Sequence, residues 1–163
     1  MPIITIPGLR SPYAKVGRIA YFGRMLDKIR LHAAGKLPAD YVTNLGDAKP
    51  GFHDARCCAF LGITHAALTA QVLATPGSTP ADDEKILAWA HAAGTPRTDT
   101  ECRVWSHYMC KLGWRDESHE RLLKRIAEGG DALKNLSIET FFDLLDADEG
   151  RDPALERREW ETS

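Results

Sequence analysis

The chain has 163 residues, 21 Lys and Arg against 23 Asp and Glu, 44% hydrophobic and 27% charged residues, a profile that lets one globular core form without a disulfide or metal staple. No apolar run approaches the roughly 20 residues of a membrane-spanning helix, and the first seven residues carry neither the basic region nor the apolar stretch of a secretory signal. The expected setting is the cytoplasm, with no membrane partner.

Apolar residues recur at spacings of three and four almost throughout, and the breaks between periodic segments carry caps. The pattern predicts an all-α protein with little or no sheet: a compact single-domain bundle of about six or seven helices over residues 1–150. The first long helix carries the stripe Ile19, Phe22, Leu26, Ile29 and Ala33 and is capped at Gly35. A long loop follows it, Leu37 to Gly51, rich in Pro, Gly and Asp. Shorter helices are expected over His53 to Leu61, stopped by Gly62, and from an N-cap at Thr64 through Ala74.

Thr79-Pro80-Ala81-Asp82 is a strong start signal for a helix reaching Gly94, with a capping hydroxyl and proline at the first helical position. Thr98 to Glu101 forms a second capping box, opening a helix with the stripe Cys102, Trp105, Met109 and Leu112. Asp116 is the expected cap of a helix holding Leu122, Leu123 and Ile126, and Ser137 of one holding Ile138, Phe141, Phe142 and Leu145. Residues 151–163 read as an acidic tail that frays. Cys57 and Cys58 are adjacent, and Cys102 and Cys110 lie about 12 Å apart along one helix, so reduced thiols are expected. A bridge between one member of each pair stays open.

Charge is unevenly placed. Residues 10–36 hold Arg10, Lys15, Arg18, Arg24, Lys28, Arg30 and Lys36 against Asp27 alone, a balance of +6, whereas residues 139–163 hold nine acids and three arginines. On a helical wheel Arg24 and Lys28 fall opposite the apolar stripe. Together with Arg10, Ser11, Asp27 and Arg30 they form a candidate anion-binding face on the first long helix, with Asp27 fixing the arginine rotamers. Replacing Arg24 and Lys28 by Gln is then expected to weaken anion binding and leave the fold intact. The plainer alternatives are an ion-pair ladder along the helix, docking of the chain's own acidic segment, or the same docking between two copies of the chain.

Other chemistry finds less support. His53 with Cys57 and His107 with Cys110 are spaced to share helical faces, but no Cys-x-x-Cys occurs and neither a metal site nor a cofactor is expected. His119-Glu120 lacks the second histidine of a zinc-protease helix, because position 123 is Leu. Asp146, Asp148 and Asp152 fail as a calcium loop, with Arg151 and Arg157 where Gly and Glu are required. Nucleophile-elbow, dinucleotide and phosphate-loop motifs are absent. The leading reading is a non-catalytic binding or interaction module whose ligand is a phosphorylated or carboxylated small molecule. The alternatives are a small enzyme using a Cys/His site assembled in space around Tyr41 to Cys58, or a nucleic-acid-binding helical protein using the Gly94 to Thr98 turn with Arg97 and Arg103. A net charge of −2 opposes the latter.

Leu9-Arg10-Ser11-Pro12, Gly23-Arg24-Met25-Leu26-Asp27-Lys28-Ile29-Arg30, Gly35-Lys36-Leu37-Pro38, Asp40-Tyr41, Phe60-Leu61-Gly62-Ile63, Asp82-Asp83-Glu84, Trp89 and Trp105 together make a recognisable pattern. It resembles an uncharacterised bacterial domain-of-unknown-function family, number five-zero-six-nine. The resemblance implies one compact domain over most of the chain and places Arg10, Arg24, Asp27, Lys28 and Arg30 in the family signature. It implies no particular activity, substrate or cofactor.

Overall fold

The computed structural model describes residues 3–163. It is 58% helix and 2% strand, the helical architecture expected, with ten helices among the described residues, eight of them at least seven residues long. A two-residue hairpin pairs β1 (Lys15–Val16) with β2 (Ile19–Ala20) in antiparallel register, Val16 opposite Ile19. Ile19 therefore belongs to a strand, and the first long helix, α1, runs Phe22–Ala33. Then come α2 (Ala39–Val42), α3 (His53–Leu61), α4 (His65–Ala74), α5 (Pro80–Ala93) and α6 (Asp99–Lys111). The chain closes with α7 (His119–Glu128), α8 (Asp131–Lys134), α9 (Phe141–Asp148) and α10 (Pro153–Thr162).

The caps explain most of these boundaries. Thr64 caps α4, and Thr79 with Asp82 and Thr98 with Glu101 close reciprocal capping boxes on α5 and α6. Two expected caps shift. The Asp116 side chain accepts from the Gly113 and Ser118 amides, shaping the turn before α7 instead of capping a helix. Thr140 with Asp143, not Ser137, makes the box that opens α9, because the intervening residues are held in a turn by the Ile138 amide bonding to Leu136.

Helix α1 sits at the centre. Every residue from Phe22 to Ile29 is buried, so its first two turns have no solvated face. The hairpin and α4 pack on it. Leu26, Ile29, Leu61, Leu68, Ile86, Met109 and Phe142 join one large core, and Leu122, Leu133, Leu144 and Ala147 form a smaller one. Cys57, Cys58, Cys102 and Cys110 are free and buried, acting as small apolar residues. No single helix is long and apolar enough to cross a membrane.

The C-terminal segment departs from the frayed tail read in the sequence. Residues Pro153–Thr162 form α10, with Asp152 accepting from the Ala154 amide as its cap. Trp160 is 7% exposed, with its ring 6.1 Å from Tyr13 and 4.9 Å from His107, centroid to centroid. Apolar anchoring thus outweighs the polar composition of the segment. Trp160→Ala is expected to lower the unfolding free energy by about 3 kcal/mol, read from urea denaturation. A fraying tail would register less than about 0.5 kcal/mol.

Candidate functional site

The basic face of α1 is buried. Arg24 and Glu149 are each 2% exposed. Arg24 meets both carboxylate oxygens of Glu149, with Nη1 2.9 Å from Oε2, and also donates to the Arg10 carbonyl at 3.1 Å. Tyr41 adds a hydroxyl donor to Glu149 at 2.8 Å, and Arg151 supplies a second cation. Burial opposes the charge on Glu149, but Arg24 and Arg151 hold the carboxyl below its ordinary value.

One turn further, Lys28 Nζ lies 2.5 Å from Asp54 Oδ1 and 3.1 Å from the Tyr21 hydroxyl. Tyr21 donates to Asp54 at 2.7 Å, and the Gly46 amide donates to the other oxygen at 3.0 Å. Burial disfavours a charged Asp54, yet Lys28, Tyr21 and Gly46 hold its carboxyl below the ordinary range. Burial and then Asp54 push the Tyr21 phenol well up, so Tyr21 stays a neutral donor. Tyr21 has φ +70° at the N-cap of α1, a left-handed conformation that a bulky residue adopts at a cost of about 1–3 kcal/mol. The Asp54 bond and ring contacts with His53 and Phe142 keep it there.

The other expected site residues go elsewhere. Arg10 makes a forked pair with Asp27, at 2.8 and 2.9 Å, and reaches Asp83 at 2.7 Å. Arg30 bonds the other Asp83 oxygen at 2.7 Å. These two cations and two carboxylates form a neutral unit. It lies over Gly23, where an added Cβ would stand 2.6 Å from Arg10 Nη1. Ser11 donates to Asp146 at 2.8 Å. Each expected cation thus has a carboxylate partner within the chain, so replacing Lys28 by Gln removes the cation paired with buried Asp54, and replacing Arg24 by Gln leaves buried Glu149 with Arg151 alone as its counter-charge. The expectation that the fold would survive those changes is corrected on that ground.

Tyr21, Arg24 and Lys28 line a cavity of about 410 Å³. Its apolar wall includes Phe52, Leu112, Phe141, Leu144 and Leu145, with Ile4 from the N-terminal segment. Tyr41 and Asn44 from the long loop and Gly51, Phe52, His53 and Arg56 around the first turn of α3 form another side. Arg121 and Arg125 of α7 contribute two more cations. Arg121 lies over the Phe141 ring, 5.0 Å from its centre, while the ion pair that Arg125 makes among the described residues is with Glu128, an exposed neighbour 3.7 Å away. Asp40 and Asp148 are the acids on the lining, and burial pushes the Asp148 carboxyl up. Burial and then Lys28 push the His53 imidazole down to about 3, leaving it neutral.

Sequence reading missed Tyr21, Tyr41, His53, Asp54, Glu149, Arg121 and Arg125 as one group. Asp54 stands 26 positions from Lys28 and Glu149 stands 125 from Arg24, so no local spacing signals either pair. The +6 and −6 segments were the available hint. The thiols flagged for a Cys/His site carry no reactive signature, since burial pushes Cys57 up and takes Cys58 to about 12.

Glu149→Gln removes the counter-charge of a buried guanidinium and is expected to cost about 3–5 kcal/mol, with Arg24→Met on the same background recovering much of the loss. The pH dependence has a definite sign. A carboxyl held below its ordinary value of 4.5 contributes stability above that pH and loses it as the pH falls through the lower folded value. The acid branch of the stability curve should therefore be shallower in the variant, as measured by urea unfolding between neutral and acidic pH.

The family model for a domain of unknown function, DUF5069, matches residues 6–151. The match takes in every residue of the buried pairs from Arg10 to Arg151 and stops before α10. Comparison with curated proteins returns no match. With nine-tenths of its length under that model, the chain belongs to the DUF5069 family.

Proposed function

We propose that this domain is a non-catalytic binding module for a small organic anion with an apolar body, such as a carboxylate or phosphate ester. The observation that carries the reading is the cavity itself: about 410 Å³, apolar along one side and lined by Arg24, Lys28, Arg56, Arg121 and Arg125 against Asp40 and Asp148. That volume falls within the range of small-molecule sites, which combine apolar walls with a few convergent polar groups. Arg24 and Lys28 are neutralised by Glu149 and Asp54 and set the shape of the floor. Arg121 and Arg125 make no close ion pair with a buried carboxylate among the described residues, although Arg125 acts on the half-buried Asp148, and together they supply the attraction for the anion. The expected anion face thus moves from the outer surface of α1 to the cavity beneath it, retaining Arg24 and Lys28. Arg10, Asp27 and Arg30 tie α1 to Asp83 of α5, and Ser11 bonds Asp146 of α9.

A second groove, between the hairpin, α6 and α10, is larger at about 990 Å³. Its lining mixes Lys15, Arg18 and Arg103 with Glu156, Glu159 and Glu161, so it offers no net preference for an anion. An enzymatic reading of the first cavity would rest on His53 and Tyr21, because the thiols are buried.

Thermal unfolding at low salt with phenylacetate, phenyl phosphate and a short oligonucleotide tests the reading. Ligand at 100 times its dissociation constant adds about 2.7 kcal/mol, a rise of several degrees for a chain of this size. The small anions should raise Tm, the shift should shrink as salt is added, and Arg121→Gln with Arg125→Gln should remove it. No shift with either small anion overturns the proposal, and a shift with the oligonucleotide alone replaces it.

A further inference from the structure

His53 is one of the polar residues on the cavity wall whose side chain makes no hydrogen bond among the described residues. His53 stands at the first position of α3, its ring 5.3 Å from that of Tyr21 and 5.4 Å from that of Phe142, centre to centre. Among the described residues the unpartnered side-chain atoms walled off from space are Arg30 Nη1, His65 Nε2, His91 Nδ1 and Trp160 Nε1. The His53 nitrogens are not in that set, so they keep solvent access, and the residue lines the cavity. Lys28, on the same lining, uses two of its three N–H groups, one on Tyr21 and one on Asp54, and has one left.

These two groups ask for one kind of partner. The charge of Lys28 is already matched by Asp54 at 2.5 Å, so this corner of the cavity is electrically balanced and favours an uncharged polar group over a second anion. Lys28 has only donors to offer, and a neutral imidazole has one donor and one acceptor. A hydroxyl satisfies both, accepting from Lys28 and donating to His53, whereas a carbonyl can only accept. A ligand that is apolar throughout would seal the imidazole away from water with nothing to bond.

We infer that the ligand is a hydroxylated organic acid, whose acid group is drawn by the cavity arginines and whose hydroxyl is read by His53 and Lys28. The inference rests on the anion-binding reading above and names the ligand class for that site. His53 is thereby the residue that determines specificity, separating a hydroxy acid from the same acid without the hydroxyl.

The test compares phenylacetate with its hydroxylated counterparts, mandelate and para-hydroxyphenylacetate, by titration calorimetry on the full chain. In the wild-type protein at least one hydroxylated acid should bind about tenfold tighter than phenylacetate. In His53→Phe that ratio should fall to about one, and in His53→Gln, which keeps a donor and an acceptor, part of it should return. Thermal unfolding of each variant establishes that the fold is retained, and His53→Leu replaces the Phe variant if that one does not fold. Equal affinities in the wild type, or a preference that survives loss of the imidazole, overturn the inference while leaving anion binding in place. Failure of all three acids to bind removes the anion-binding reading, and this inference with it.

Discussion

Helix α1 takes Arg24 and Lys28 into the interior, and two buried cations require two carboxylates to be brought to them. Removing such charges from water costs several kcal/mol each, an amount that only a close, hydrogen-bonded counter-ion offsets. Glu149 and Asp54 answer from 125 and 26 positions further along the chain. Much of the remaining architecture follows from that need. Glu149 directly follows α9 and is steadied by Tyr41 and Arg151, so one pair joins α1, the long loop and the C-terminal helices. Asp54 lies in the first turn of α3 and holds the Gly46 amide, which fastens the far end of the same loop.

The cavity exists because these side chains stand as pillars between elements that would otherwise close on apolar contacts. Tyr21 illustrates the trade. Its left-handed backbone lets the chain turn from β2 straight into α1 while its hydroxyl reaches Asp54. Strain of that kind persists where the surrounding contacts over-determine it, and here the stacked Phe142 ring, the tilted His53 ring and the buried carboxylate do so. Cations paired with buried carboxylates and cations without such close pairs among the described residues are thereby sorted onto different elements. Arg24 and Lys28 of α1 are neutralised inside, and Arg121 and Arg125 of α7 keep their net charge at the cavity.

Beside Arg24 and Lys28 of α1, Arg10, Asp27, Arg30 and Asp83 form a closed four-membered arrangement that secures the N-terminal segment and α5. The forked geometry of Arg10 on Asp27 suits guanidinium rather than ammonium. The charged residues of this segment are therefore of two kinds: those that floor the cavity and those that lock α1 into its neighbours.

Helices α3 to α6 were legible in the sequence because each is bounded by its own chemistry: Gly62 after Leu61, Thr64 before His65, and the reciprocal boxes Thr79–Asp82 and Thr98–Glu101. Capping acts over three residues, so local reading suffices. The same locality made Ser137 a plausible cap, although Thr140 does the work, and hid the burial of Trp160 beneath a polar composition. The charged segments were visible as an imbalance, but a helical wheel cannot say whether a cation facing away from an apolar stripe meets water or a carboxylate. That distinction depended on contacts spanning 26 and 125 positions. By itself the sequence determined a helical protein, the ends of four helices and the residues of a charged signature. Only the tertiary structure decided that Arg24 and Lys28 are buried and that His53 faces a cavity, because desolvation and pairing of charge are set by what the rest of the chain places around them.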